Sequence, residues 1–173
     1  MKIAVLGTGT VGRTLAGKFA DLGHQVVVGT RDPSSTLART DPDAMGNPPY
    51  SAWQADHPGI PLAPYPDAAA GAELVVNATG GTGSLAALEL AGEDNLAGTV
   101  LLDVSNPLDF SRGFPPSLFV PDTDSLAEQI QRSFPAARVV KSLNTMTAAL
   151  MVDPGRVAGG DHTTFVSGDD AEA

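Results

Sequence analysis

The sequence lacks cysteine and has few basic residues, and each shortage excludes a class of protein. Without cysteine the chain of 173 residues has no disulfide framework, no thiolate nucleophile and no cysteine-ligated metal or iron–sulfur cluster. Basic residues number 10 against 20 acidic ones, and the net charge of −10 argues against nucleic acid as a partner. No apolar run approaches the roughly 18 residues of a membrane span, and no signal-peptide pattern opens the chain. These absences predict no membrane partner and a cytoplasmic location.

The few basic residues are unevenly placed. Residues 1–39 hold five of the 10 basic side chains and only two of the 20 acidic ones. A positive segment in an acidic protein suggests a small polyanion bound there, although chance and a solubilising surface would give the same pattern.

Strand-like and helix-like segments alternate along the chain. The alternation predicts a Rossmann-type, doubly wound, mostly parallel α/β sheet in a single domain over 1–173. The predicted strands are 2–6, 25–29, 73–78, 99–104, 138–142 and 163–166. Helices are predicted up to Gly23, around 50–56, after the loop 79–83 through Leu90, and from the capping box at Ser125 to Pro135. Residues 32–66 are otherwise irregular and rich in proline.

The first strand leads into the strongest motif of the sequence. Residues Gly7, Thr8, Gly9, Thr10, Val11 and Gly12 have the G-x-G-x-x-G spacing between a strand and an amphipathic helix. In that context the first glycine makes a tight turn, the second lets the backbone approach a pyrophosphate, and the third lets helix and strand pack closely. Backbone amides and the helix dipole attract the phosphate charge. The motif therefore predicts a dinucleotide site.

The end of the second strand distinguishes NADP from NAD. NAD-binding domains place an acidic residue there to bond the ribose 2′-hydroxyl, but this chain has Thr30 and Arg31. A guanidinium and a hydroxyl attract a 2′-phosphate that an acid would repel, and Ser34 and Ser35 offer further hydroxyls. Asp32 is close enough in sequence to bond a 2′-hydroxyl, and we expect it to turn away. The cofactor predicted from these residues is NADP(H).

The chain resembles the coenzyme F420-dependent NADP reductases in six stretches that follow the family's order. They are KIAVLGTGTVGRTLAGKFADLGHQVVVGTRDP, ELVVNATGG, LLDVSNPLD, DSLAEQIQRSFP, ARVVKSLNTMTAALMVDP and HTTFVSGDDAEA. The glycine loop is shared with many dehydrogenases, whereas VVKSLNTM after a strand together with DVSNPL is far more specific. The resemblance implies hydride exchange between NADP(H) and the deazaflavin coenzyme F420 as co-substrate.

The resemblance also assigns residues to the cofactors by position. Thr8 to Val11 would hold the pyrophosphate, and Thr30 and Arg31 the 2′-phosphate. The cofactor cleft would be lined by Ala78, Thr79, Ser105 and Asn106, and the nicotinamide would lie beside Leu143 and Asn144. The fold implies the same edge of the sheet, since open α/β sheets bind ligands at the carboxyl ends of their strands. Ordinary turn chemistry and helix capping remain an alternative explanation for Asn106 and Asn144.

We predict no catalytic acid or base and no metal site. Hydride transfer is the chemistry of the cofactors, which the protein has to stack against each other. The histidines His24, His57 and His162 are isolated in sequence, and we expect surface structural roles for them. Asp103, on a buried strand, is expected to accept hydrogen bonds from nearby backbone amides.

Three alternatives stay open. A related reductase would pass electrons to a flavin or to ferric iron. An imine reductase of the pyrroline-carboxylate type shares the N-terminal fold but needs a long helical C-terminal domain. A non-catalytic NADP-binding module would bind the cofactor without turnover.

Members of the resembling family continue for several tens of residues beyond the point at which this sequence stops. Asp169 and Asp170 look like the start of a helix, yet only three residues follow them. We therefore expect the family's C-terminal segment to be lacking, the last strand to be uncovered and Phe165 or its neighbours to be partly exposed. Such a chain would bind NADP(H), turn over F420 poorly and form a homodimer that covers its apolar surface.

Overall fold

The computed structural model describes residues 1–43, 46–120 and 123–173, in which strands and helices alternate. The strands are β1 (Lys2–Leu6), β2 (Gln25–Thr30), β3 (Leu62–Pro64), β4 (Leu74–Asn77), β5 (Val100–Asp103), β6 (Leu108–Asp109), β7 (Ser117–Leu118), β8 (Arg138–Ser142) and β9 (Val166–Ser167). The α-helices are α1 (Thr10–Asp21), α2 (Pro33–Leu37), α3 (Tyr50–Asp56), α4 (Tyr65–Ala69), α5 (Ser84–Ala91), α6 (Glu93–Leu96), α7 (Leu126–Ser133) and α8 (Ala148–Val152).

Seven of these strands form one sheet in the order β3-β2-β1-β4-β5-β8-β9. Neighbouring strands run parallel throughout except for β8 and β9, which pair antiparallel. A separate antiparallel hairpin joins β6 to β7. The strand order reverses between β1 and β4, and the crevice outside their carboxyl ends is where sheets of this kind bind ligands. The predicted Rossmann-type, mostly parallel sheet is confirmed.

Apolar side chains of β1 alternate between two cores. Ile3 and Val5 belong to the core on the face covered by α1, α3 and α8, and Ala4 and Leu6 to the core beneath α4, α5 and α7. This alternation follows from the two-residue period of a strand. With both faces covered, polar ligands reach the strands at their ends. Within the described ranges, no helix is long and apolar enough to cross a membrane.

The stretch 32–66 is more regular than the sequence predicts. Besides the predicted α3, it contains α2 and β3 and leads into α4. β3 lies at the edge of the sheet, where Pro64 is tolerated because an edge strand can do without a ladder N–H. α2 begins with Asp32 as its cap and Pro33 in its first turn, which is a common way for a helix to begin. The prolines therefore start or end short elements here.

The last strand is shorter than predicted. The predicted strand 163–166 is reduced to β9, which begins at Val166. The carbonyl oxygen of Phe165 accepts a hydrogen bond from the Ser142 hydroxyl at 2.8 Å, so a side chain binds where a backbone ladder would otherwise continue. Phe165 is 73 % exposed and Val166 70 % exposed, which confirms the exposure expected for Phe165.

Candidate functional site

The glycine loop joins β1 to α1, and its three glycines have different surroundings. A Cβ atom added to Gly7, whose φ is +120°, would lie 2.5 Å from the carbonyl oxygen of Ala78, and one added to Gly12 would lie 2.1 Å from the carbonyl oxygen of Gly7. Neither position has room for a side chain. A Cβ atom on Gly9 would meet nothing within 4 Å. The backbone at Gly9 is therefore open to a ligand.

The first turn of α1 has amides to offer that ligand. Gly9 is the N-cap, and among the described residues no side chain caps the helix. The first amides of a helix have no partner inside it, and the helix dipole adds partial positive charge there. This turn follows the loop that is predicted to hold the pyrophosphate, and its donors suit that group.

Cationic side chains lie near the end of β2. The Oγ1 atoms of Thr30 and Thr36 are 2.8 Å apart, and Arg39 Nη2 donates to Thr36 Oγ1 at 3.3 Å. Arg31 is exposed. Burial raises the pKa of the Tyr65 hydroxyl, and the positive charge of Arg31 opposes that rise. The Thr30 hydroxyl, which the sequence predicts to bind the 2′-phosphate, is thus buried against Thr36, while Arg31 is open to a ligand.

Asp32 and Ser35 bind each other. The Asp32 carboxylate accepts hydrogen bonds from the backbone amides of Ser34 at 2.9 Å and Ser35 at 3.2 Å, and from the Ser35 hydroxyl at 2.6 Å. These bonds, with that of the Ser35 hydroxyl largest, lower the pKa of Asp32. A ribose hydroxyl would have to compete with three donors for this carboxylate. The structure therefore uses Asp32 to cap α2.

A buried polar network joins the carboxyl ends of β4 and β5. Asn77 is fully buried; its Nδ2 donates to Asp103 Oδ1 at 2.9 Å and to Ser84 Oγ at 3.1 Å. Its Oδ1 accepts from the Thr79 hydroxyl at 2.6 Å. Asp103 Oδ1 also accepts from the amide and hydroxyl of Ser105, at 3.1 and 2.6 Å. The expectation that Asp103 accepts a hydrogen bond from a backbone amide is confirmed. This hydrogen bond belongs to a network that fixes Thr79 and Ser105.

Lys141 extends this network to β8. Its ammonium lies 2.9 Å from Asp103 Oδ2 and also donates to the carbonyl oxygen of Ser105. The Asp103 side chain is fully buried and that of Lys141 is 18 % exposed, so the ammonium compensates a carboxylate inside the protein. The two residues are direct partners in the register of β5 and β8. Hydrogen bonds and this ion pair thus connect three neighbouring strands at their carboxyl ends.

Asn106 and Asn144 meet across the cleft edge. Asn106 Nδ2 donates to the carbonyl oxygen of Asn144 at 2.8 Å, and Asn144 Nδ2 donates to Asn106 Oδ1 at 3.3 Å. Leu143 has φ 62°, a left-handed conformation that is costly for leucine. A Cβ atom on Gly81 would lie 2.1 Å from the carbonyl oxygen of Asn106, so the loop after β4 packs against the same turn. Local turn chemistry does not explain contacts between such distant segments.

The predicted residues therefore form a continuous rim, which we define as the glycine loop, residues 78–81, 105–106 and 143–144. Each segment contacts the next, through Gly7 to Ala78, Gly81 to Asn106 and Asn106 to Asn144. Cavities of about 670 Å³ and 570 Å³ open beside Gly9 and beside Asn106, respectively. Arg31 lies apart from the rim at the end of β2.

Sequence reasoning missed three polar residues at this end of the sheet. Asn77 and Lys141 each interrupt an apolar strand, and with Asp103 on the strand between them they signal a buried pair or network. Recognising it requires the order and register of three strands. Arg39 carries a weaker signal, because it is separated from Arg31 by a helix that the sequence does not predict.

Comparison with known proteins identifies one family. The family model for NADP oxidoreductase, coenzyme F420-dependent, matches residues 2–107. The crystal structure of a candidate F420-dependent NADP reductase from Arthrobacter sp. FB24 has a TM-score of 0.93 and 65 % sequence identity, covering 99 % of this chain and 75 % of that one.

Two more distant proteins are also similar to this chain, one in sequence and one in structure. The metalloreductase STEAP3 of Rattus norvegicus is 29 % identical over 174 residues, which cover 99 % of this chain and 30 % of the rat protein. This chain thus spans less than a third of that relative. An imine reductase from Streptomyces aurantiacus has a TM-score of 0.61 at 23 % identity, covering 99 % of this chain and 49 % of that one; at that identity the likeness concerns the fold alone.

Proposed function

Because the chain belongs to the coenzyme F420-dependent NADP oxidoreductase family, we propose that it transfers hydride between NADP(H) and the deazaflavin F420. The observation that carries the proposal is the continuous rim, which passes from the glycine loop to Asn106 and Asn144. The open backbone at Gly9 and the uncapped first turn of α1 suit a pyrophosphate. The exposed guanidinium of Arg31 suits a 2′-phosphate.

The protein's own residues orient the reactants. When bound, the two cofactors supply the redox chemistry, in which one hydride passes between the nicotinamide and the deazaflavin and the reduced deazaflavin also carries one proton from solvent. The network of Asn77, Asp103 and Lys141 holds the strand ends in place. The paired amides of Asn106 and Asn144 hold the part of the rim assigned to the nicotinamide. Fixed placement of this kind lowers the entropic part of the barrier.

An ultraviolet–visible assay of NADPH oxidation tests the acceptor. The purified protein is mixed with NADPH and with F420, FMN, a ferric chelate or no acceptor. We expect oxidation that depends on F420, with a clearly lower rate for FMN and for the chelate. Oxidation with FMN or ferric iron but not F420 would assign the electron acceptor differently, and binding of NADPH without oxidation in any mixture would make the chain a cofactor-binding module.

A ferric or flavin acceptor is the second candidate function, since the rat metalloreductase matches 99 % of this chain. The rim and the NADP(H) site would be the same for either acceptor. The relative rates in the acceptor assay therefore decide between the two candidates.

NADP(H) is expected to bind at least about tenfold more tightly than NAD(H), a preference of roughly 1.4 kcal/mol. The physical reason is the exposed guanidinium of Arg31, together with the engagement of the Asp32 carboxylate in capping α2, where it already accepts three hydrogen bonds. Calorimetric titration of the original protein and of Arg31→Ala measures the preference. Equal affinities in the original protein, or an unchanged preference in the variant, would contradict this expectation.

A homodimer is a further part of the proposal. Phe165 and Val166 expose most of their apolar surface, as does Phe114 at 89 %. Exposed apolar surface of this kind is commonly covered by a second copy. Light scattering at several protein concentrations is expected to give the mass of a dimer. A monomer at all concentrations, with Phe165→Ser unchanged in solubility, would contradict it.

A further inference from the structure

We propose that Arg39 provides a second guanidinium for the 2′-phosphate and sets the preference for NADP(H) together with Arg31. The inference rests on the proposed binding of NADP(H) and adds a specificity-determining residue to it. Arg39 belongs to the cavity of about 670 Å³ that also contains Thr8 and Gly9. A guanidinium there lies in the same cavity as the loop assigned to the pyrophosphate.

The position of Arg39 is fixed from two directions. Its Nη2 donates to Thr36 Oγ1 at 3.3 Å, and that oxygen is 2.8 Å from Thr30 Oγ1 at the end of β2. Its carbonyl oxygen accepts a hydrogen bond from the Ser51 hydroxyl of α3 at 3.5 Å. Two threonine hydroxyls therefore connect the guanidinium to the strand end that selects between NADP and NAD.

The charges around this cavity leave Arg39 available. Arg13 also borders the cavity, but its Nη1 donates to the carbonyl oxygen of Pro48 at 2.7 Å and its Nη2 is 4.0 Å from Asp43 Oδ2. The Asp43 carboxylate accepts hydrogen bonds from Asn47 as well. Asp41 lines the cavity too, and none of the ion pairs found among the described residues involves Arg39.

A second observation in the cavity points to a ligand. The Tyr50 hydroxyl is buried and has no hydrogen-bond partner among the described residues. Tyr50 is 5 % exposed and borders the same cavity. Burial raises the pKa of this hydroxyl, and the charge of Arg13 opposes the rise, so Tyr50 stays protonated and able to donate. A buried donor without a partner is costly, and an oxygen-rich ligand would satisfy it.

Arg31 and Arg39 approach the end of β2 differently. Arg31 directly follows Thr30, the last residue of β2. Arg39 lies against Thr36 in the cavity that Tyr50 borders, and Tyr50 packs in the opposite core. A phosphate monoester carries close to two negative charges near neutral pH, and charge-assisted bonds to two guanidinium groups suit it. Both arginines thus lie at the end of β2, where the 2′-phosphate is expected.

Calorimetric titration of the full chain with NADP⁺ and with NAD⁺ tests the proposal. Arg39→Ala is expected to weaken NADP⁺ binding about tenfold, equivalent to about 1.4 kcal/mol, and to change NAD⁺ binding less than about twofold. Arg39→Lys retains charge but loses the planar fork, so we expect an intermediate value. Arg112→Ala, an exposed arginine in the loop between β6 and β7, is the matched control and should change neither affinity.

The possible outcomes separate this inference from the proposed function. Equal weakening of NADP⁺ and NAD⁺ by Arg39→Ala would overturn it, since the side chain would then support the cavity without sensing the phosphate. Unchanged affinities in the variant, while the original protein prefers NADP⁺, would also overturn it and leave the NADP(H) proposal intact. Absence of any preference in the original protein would overturn both. No acceptor is present in these titrations, so a wrong assignment of F420 does not affect them.

Discussion

Replacing Gly9 by valine is expected to abolish binding of NADP(H) and leave the fold intact. The valine side chain would occupy the space through which the backbone approaches the pyrophosphate. It would not strike the protein, because a Cβ atom on Gly9 meets nothing within 4 Å. We expect the dissociation constant to rise at least about a hundredfold, or roughly 2.7 kcal/mol. Circular dichroism and a cofactor titration on the same sample measure both properties.

Two other glycines provide matched controls for this variant. Gly59→Val places the same side chain in open space before β3, away from the carboxyl ends of the strands, and should change neither folding nor binding. Gly12→Val should unfold the protein, because its Cβ atom would lie 2.1 Å from the carbonyl oxygen of Gly7. Undiminished cofactor binding by Gly9→Val would mean that the loop is a turn without a ligand.

Replacing Lys141 by methionine is expected to lower the free energy of unfolding by about 3–5 kcal/mol, which is the usual cost of removing one partner of a buried ion pair and leaving the other charge unpaired. The methionine fills a similar volume but removes the ammonium, so the fully buried Asp103 carboxylate loses its cation. The carbonyl oxygen of Ser105 also loses a donor. Urea denaturation measures the change through the transition midpoint and its slope.

A double-mutant cycle identifies the cause of that loss. Asp103→Asn combined with Lys141→Met removes both charges. The loss of unfolding free energy in the double variant is expected to be smaller than the sum of the losses in the two single variants. Lys141→Arg retains the charge and should be less harmful than methionine. Additive effects, or a loss below about 1 kcal/mol for Lys141→Met, would show that the pair contributes little to stability.

The parts of the fold that sequence predicts best are those governed by neighbours along the chain. The glycine loop, α1 and its end near Gly23 follow from spacing and turn residues. The cap of α7 is predicted for the same reason, and Ser125 Oγ accepts from the amide of Glu128 at 3.1 Å. The backbone amide of Ser125 donates to Asp124 Oδ1 at 2.9 Å, whereas in a complete capping box it would donate to the glutamate side chain. Even a local motif therefore leaves the choice between adjacent carboxylates undecided.

The parts that sequence does not predict depend on contacts between distant segments. β3 has three residues, and its pairing with β2 decides that it is a strand. The partnership of Asp103 with Lys141 requires the register of β5 and β8. Ser35 shows the same dependence, because its hydroxyl, near the predicted phosphate site, is bound to Asp32. Its location could be predicted from the sequence, but its hydrogen-bond partner could not.

The side-chain network that connects the strand ends also determines whether conformational entropy is lost on folding or on ligand binding. The amide of Val104 donates to the carbonyl oxygen of Asn77 at 3.1 Å, directly beside the buried side-chain network. Exposing such amides requires the central sheet to separate, so their hydrogen exchange should report nearly global unfolding, unlike that of the exposed turn around Phe114. Most of the ordering of the rim is thus completed when the chain folds. A ligand that arrives later meets an arranged surface and retains more of its interaction free energy as affinity.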